Sequence, residues 1–290
     1  MTLANFGTYQ GQVSTAFADQ DLLHRLADPL QLLENATLIT DGADRVYRVE
    51  LPRQGDTLAI ALKAFKPSGR LKTWCQRHKG SQARRSWVAA ESLTQQAVST
   101  PHPIAYLEKY QSGQLLESYY LSVFSAGMVS FREVMSDILW QPLDHDRLLA
   151  LLKAVAPVVR ALHDAGWRHG DLGNQNILLR QHPAGSFQDV QLIDLDRARY
   201  MPQGLSWSAR GHDLARLIMP PDYLQIFKQL YCDGPVPLAF DQAEQRSRAR
   251  YRRHARTYRY RHPIRAYRHA QACRRDPHHR LDYPDDIVNP

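Results

Sequence analysis

Cysteine is scarce and poorly placed for cross-linking. Cys75, Cys232 and Cys273 are the only three in 290 residues, far apart and without a C-x-x-C pair. A disulfide framework and a cysteine zinc site are therefore not expected, and the reducing cytosol is the expected compartment. No apolar run reaches the roughly 20 residues that cross a bilayer. Residues 1–20 have neither a basic start nor an apolar middle, so no secretory signal is expected. Acidic side chains are missing altogether between Lys66 and Arg85, and internal repeats are absent.

What is present is an excess of cations. Lys and Arg number 37 against 29 Asp and Glu, a net charge of +8. Without a membrane span, that balance suits a polyanionic partner: nucleic acid, anionic lipid or a phosphorylated substrate. A merely solvated basic surface is the other reading. With 43% hydrophobic residues, 290 residues can bury a sizeable core in one large domain or two joined lobes.

The first 30 residues carry little beyond a short helix signal near 21–26. Strands are expected at 36–39 and 45–51, on either side of Asp41-Gly42, and most clearly at 57–65. In that strand Leu58, Ile60, Leu62 and Ala64 share one face, and Ala59, Ala61, Lys63 and Phe65 the other. Small Ala61 beside Lys63 leaves room for a flat ring next to an ammonium. A helix over 84–97 carries Trp87, Ala90, Leu93 and Ala97 at helical spacing, with Glu91 inside it. Strands at 104–109 and 118–124 flank the turn Gln111-Ser112-Gly113, and Ser125-Ala126-Gly127 reads as a hinge.

From Ser130 the pattern is mainly helical. The strongest helix covers 146–165, with Asp144 or Asp146 to cap its start and Gly166 to close its end. Pro157 falls inside it, and an interior proline costs about 3 kcal/mol, so a kink or break is expected there. Helical signals return at 211–219 and 221–231. Residues 244–280 are dense in Arg, Tyr and His. They read either as a packed charged helix anchored by Tyr251, Tyr258, Tyr260 and Tyr267, or as a segment that orders on a polyanion.

The most informative stretch is His169-Gly170-Asp171-Leu172-Gly173-Asn174-Gln175-Asn176, followed by Leu192-Ile193-Asp194-Leu195-Asp196. Strands at 177–180 and 190–194, joined through Pro183 and Gly185, make a hairpin. Antiparallel pairing sets the start of the first strand beside the end of the second, so Asn176 and Asp194 meet at its open end. An amide oxygen and a carboxylate are hard donors that suit Mg²⁺ on a nucleotide triphosphate. Asp171 has no cation next to it in sequence and is the candidate base for a hydroxyl proton. Lys63 is expected at the α- and β-phosphates, with Glu91 holding it by an ion pair. Asp196 is either a further ligand of the metal network or a partner of Arg197.

These residues resemble the protein-kinase-like fold. Ile60-Ala61-Leu62-Lys63 is similar to its third-strand lysine motif, the 169–176 run to its catalytic loop, and Asp194-Leu195-Asp196 to its metal-binding triplet. The resemblance implies an α+β, two-lobed fold. A nucleotide-binding N-lobe would occupy 36–125 and a mainly helical C-lobe 126–232, with an N-terminal extension at 1–35 and a basic segment at 233–290. It implies nucleotide contacts from Ala61, Lys63, Glu91, Asn176 and Asp194, metal ligation by Asn176 and Asp194, and Asp171 as the catalytic group. No G-x-G-x-x-G loop is present, Gly170 replaces the usual arginine, and no Ala-Pro-Glu follows Asp196; these departures argue against a regulated protein kinase.

A narrower resemblance fits. HGDLGNQNILL, LIDLDRAR and Arg210-Gly211-His212-Asp213-Leu214-Ala215-Arg216-Leu217 look like the bacterial lipopolysaccharide kinase family. That implies transfer from ATP, with Mg²⁺, to Kdo or heptose of the inner core. The partner would be an anionic glycolipid, met at the inner face of the inner membrane, and no specific nucleic acid is expected. Asp213 would anchor the catalytic loop. The cations Lys66, Arg70, Lys72, Arg77, Lys79, Arg84 and Arg85 would either meet the anionic substrate or line a solvated loop. A kinase acting on a protein or small-molecule hydroxyl, and a non-catalytic polyanion-binding adaptor, are the competing readings.

Overall fold

The alternation over residues 57–65 becomes β5 (Asp56–Phe65), and its two faces feed two separate cores. The structure is a computed structural model that describes residues 4–42, 44–53, 55–66, 80–140, 144–183 and 185–264, with single positions at 267, 270, 271 and 274. The chain divides into two compact units, one of residues 1–126 with 194–198, the other of 127–193 with 199–290.

The first unit is built on a seven-stranded antiparallel sheet. Its order is β1 (Ala4–Phe6), β2 (Tyr9–Val13), β6 (Pro103–Gln111), β7 (Gln114–Val123), β5, β4 (Arg45–Arg53), β3 (Thr37–Asp41). Ser112 and Gly113 take positive φ at the expected turn between β6 and β7. Ile60 and Leu62 face a core with Val49, Leu107 and Leu121, completed by Phe6, Tyr9, Phe17, Leu22 and Leu26 from the start of the chain. Residues near the N-terminus thus supply two strands and part of this core. Tyr9-Gln10-Gly11-Gln12-Val13 has too few apolar residues for a period of two to show, and its pairing with β6 makes it a strand. Gly11 is required by that pairing, because a Cβ there would sit 1.9 Å from the Tyr106 carbonyl oxygen.

On the opposite face Phe65 and Tyr106 pack with Ala83 and Trp87. The last two come from α3 (Gln82–Gln95), which follows the short helices α1 (Gln20–Arg25) and α2 (Pro29–Glu34). α3 starts two residues before the expected position because Ser81 caps it, its Oγ accepting from the Arg84 N–H at 3.0 Å.

The second unit contains β8 (Val129–Ser130), α4 (Phe131–Trp140), α5 (His145–Asp164), β9 (Trp167–Arg168), β10 (Ile177–Gln181), β11 (Phe187–Leu192), β12 (Arg199–Tyr200), α6 (Trp207–Leu214), α7 (Pro221–Cys232) and α8 (Leu238–Arg261). Asp144 caps α5, accepting from the Arg147 N–H at 2.9 Å. Leu148, Leu151, Leu152, Val155, Val159 and Leu162 are its buried stripe. α5 is continuous through Pro157, without the expected break. Proline takes the donor from the Lys153 carbonyl, but both residues lie on the exposed side, where water can serve that oxygen.

The Arg/Tyr-rich segment is helical from its start to Arg261, and Phe240, Glu244 and Arg248 form its buried face at i, i+4 and i+8. The tyrosines divide: Tyr251 is half-buried, whereas Tyr260 and Tyr267 are exposed. The side chain of Tyr258 lies outside the described residues. α6 and α8 touch backbone to backbone, since a Cβ on Gly211 would come 2.2 Å from the Phe240 carbonyl oxygen. Alanine is the better helix former by about 1 kcal/mol. Gly211→Ala is nevertheless expected to destabilise by about 1–3 kcal/mol, because α8 must shift. A thermal midpoint equal to or above the parent's would refute the close contact. Among the described residues no helix is long and apolar enough to cross a membrane.

Candidate active site

In the second unit the site is built around one buried carboxylate. Asp213, in the last turn of α6, is 1% exposed. Its Oδ2 accepts from the His169 N–H at 2.7 Å and its Oδ1 from the Gly170 N–H at 2.8 Å, so it holds the backbone just before Asp171. His163 Nε2 lies 3.3 Å from Oδ2, and His163 Nδ1 meets the Tyr231 hydroxyl at 2.7 Å. Burial alone would raise the Asp213 pKa. The His163 hydrogen bond and the Gly170 N–H outweigh it and hold the carboxyl well below its usual range.

His169 is fully buried. Its Nε2 donates to the Ile193 carbonyl at 3.0 Å, and its Nδ1 accepts from the Asp171 N–H at 3.3 Å. Both ring nitrogens are thus occupied by backbone, and the ring acts as a support for the loop. Asn174 pins the loop further on, exchanging hydrogen bonds of 2.7 and 2.9 Å with the backbone of Ile218. Asn176 Nδ2 donates to the Asp171 carbonyl at 2.7 Å, which leaves its amide oxygen as a hard donor.

The Asp171 carboxylate is not isolated. Arg216 Nη2 lies 3.0 Å from its Oδ1, and the Arg216 guanidinium sits over the Tyr251 ring at 5.3 Å. Sequence inspection missed Arg216. It is 45 positions from Asp171, and only folding brings α8 and the end of α6 to the loop. The hairpin forms as expected, with Ile177 opposite Leu192 and the Ile193 N–H donating to the Asn176 carbonyl at 3.0 Å. Asp194 follows directly in the chain, in the left-handed conformation with φ 62°.

In the first unit Asp194 receives a hydrogen bond from Lys63 Nζ, and Asp44 lies 3.9 Å from the same amine. Ala61 is on the same strand face, half-buried between Arg48 and Ser122 in register. The expected Lys63–Glu91 ion pair is not formed. Asp194 takes the amine instead, and Glu91 Oε1 is buried without a hydrogen-bond partner. Asp196 is buried and accepts from Gln82 Nε2 at 2.6 Å, while its carbonyl accepts from Arg85 Nε at 2.8 Å. The first turn of α3 thereby clamps the turn that follows Asp194. Gln82 escaped notice because a polar residue at a helix start reads as solvated, and Arg85, expected to meet an anionic substrate or line a solvated loop, holds backbone instead. Burial, then the neighbouring Asp194 charge, raise the Asp196 pKa.

Among the described residues no three His, Cys, Asp or Glu gather as a metal cage. Of the cationic run, Lys66 donates to the Gly42 carbonyl at 2.9 Å and Arg85 holds the Asp196 turn; Arg70, Lys72, Arg77 and Lys79 lie outside the described residues.

A solved structure described as WaaP in complex with acyl carrier protein matches with a TM-score of 0.58 and 22% identity, over 83% of this chain and 99% of that one. A crystal structure of the BubR1 kinase domain aligns at a TM-score of 0.42 and 15% identity, over 74% of this chain and 62% of that one. No curated protein matches. The fold is α+β and protein-kinase-like, in two lobes. The lipopolysaccharide kinase (Kdo/WaaP) family model matches residues 71–225, and the chain belongs to that family. It is a lipopolysaccharide kinase, a phosphotransferase with an alcohol group as acceptor.

Proposed function

We propose that this kinase transfers the γ-phosphate of ATP to a hydroxyl of Kdo or heptose in the lipopolysaccharide inner core, at the inner face of the inner membrane. The observation that carries the site assignment is the contact of Lys63 with Asp194, which joins the strand lysine to the carboxylate that ends the hairpin. In this reading Lys63 binds the α- and β-phosphates beside Ala61, and Asp194 with the amide oxygen of Asn176 holds Mg²⁺. The metal supplies neutralisation of the phosphate charge. Asp171 orients the acceptor hydroxyl and takes its proton, its backbone fixed by Asn176 and His169 and its carboxylate steadied by Arg216. Asp213 keeps the loop in place from beneath.

Transfer of label from γ-labelled ATP into purified inner-core oligosaccharide, set against protein and aminoglycoside acceptors, tests the acceptor. Label in protein or drug alone would overturn the sugar assignment. Asp194→Ala is expected to lower kcat by at least about 10²-fold, since charge stabilisation is a large term in such reactions. It should also abolish the Mg²⁺ dependence of nucleotide binding, read by titration calorimetry. Undiminished Mg²⁺-dependent binding would remove the role assigned to Asp194.

A further inference from the structure

A cavity of about 530 Å³ lies in the second unit between α7 and α8, and it shares no residue with the catalytic loop. One wall is apolar, from Met219 and Leu224, and the other is cationic. The charges within it do not balance. Lys228 Nζ pairs with Asp241 at 2.8 Å and with Glu244 at 2.6 Å, and Glu244 also receives Arg248 Nε. Those four charges cancel. Arg252 and Arg253 line the same cavity, and among the described residues neither makes an ion pair.

The donors are also incompletely used. Arg248 is only 8% exposed, with its Nε on Glu244 and its Nη1 on the Leu217 carbonyl at 2.7 Å. Its Nη2 is buried without a hydrogen-bond partner, and so is Arg252 Nε. Burial lowers the Arg248 pKa, Glu244 opposes this, and the Arg252 charge lowers it further. An oxyanion between them would satisfy both donors and relieve the repulsion.

We propose that this cavity binds a small phosphorylated ligand, with its phosphate between Arg248 and Arg252 and its body against Met219 and Leu224. The guanidinium fork matches phosphate oxygens in pairs, and the volume falls within the ordinary range for small-molecule sites. The Arg253 side chain adds a further positive charge at the cavity lining. The inference is independent of the assigned acceptor, since it uses none of the residues placed in the transfer site.

Titration calorimetry on the full chain tests it, with glucose 6-phosphate as probe and inorganic phosphate and glucose as comparison arms. Saturable binding of glucose 6-phosphate is expected, with weaker binding of phosphate and none of glucose. Phosphate binding as tight as the ester would assign the site to the free ion and overturn the ester ligand. The double variant Arg252→Gln, Arg253→Gln should lose at least tenfold in affinity, whereas Lys63→Ala should keep it. Retained affinity in the double variant, loss in Lys63→Ala instead, or no saturable binding by the parent would overturn the site. Ala249→Trp, at an exposed position of the cavity lining, keeps every charge and should block binding by filling space. It decides the matter if the double variant melts early, and binding that survives it overturns the proposal.

Discussion

Asp171→Asn is expected to reduce phosphate transfer by about 10²–10⁴-fold while leaving the thermal midpoint close to the parent's. The asparagine keeps the shape of the side chain but cannot accept the hydroxyl proton. The fold should tolerate it because the backbone of residue 171 is held independently, by the His169 ring at the N–H and by Asn176 at the carbonyl. The Arg216 pair is partly solvated, and pairs of that kind are worth about 0–1 kcal/mol. Nucleotide affinity should not change, since no nucleotide contact is assigned to Asp171. Turnover equal to the parent's would remove the assigned role, and a matching fall in melting temperature would make it a structural effect.

Asp213→Asn should give the largest loss of stability. Breaking a buried, hydrogen-bonded charge network costs about 3–5 kcal/mol, which at this size lowers the midpoint by about 10 °C. The pH dependence follows from the direction of its shift. The folded carboxyl titrates below its unfolded value, so its contribution is complete above about pH 4 and is lost as pH falls toward the folded pKa. The parent should therefore lose stability on acidification, and the asparagine variant should lose less over the same interval. Parallel thermal melts from neutral pH to pH 3 measure both. Equal midpoints at neutral pH, or identical acid slopes, would show that Asp213 is not the anchor of the loop.

What could be read in the sequence was what is local. The 169–176 loop and the hairpin after it are contiguous, and the two strands pair across a short turn, so spacing alone placed Asn176 against the end of β11. The alternation in β5 was equally plain because both faces of that strand are packed. Long-range polar contacts were not legible from spacing, and only the family resemblance pointed to Asp213 as the anchor of the loop. Nothing in the pattern marks Arg216 as the neighbour of Asp171, or Gln82 and Arg85 as the clamp on Asp196. The Lys63–Glu91 pair failed because an acid in the right helix does not fix which carboxylate lies nearest the amine. β1 and β2 were missed because strands of only three and five residues take their stability from the sheet they join.

The chain leaves the first unit after Ala126 and returns to it once, since residues 194–198 belong to it while their neighbours on both sides do not. Dissection after Ala126 would therefore not yield a self-contained fragment. The excised piece would retain a half-buried ammonium stripped of its aspartate and a helix start deprived of the turn it grips. An autonomous N-terminal fragment would need that five-residue stretch grafted back.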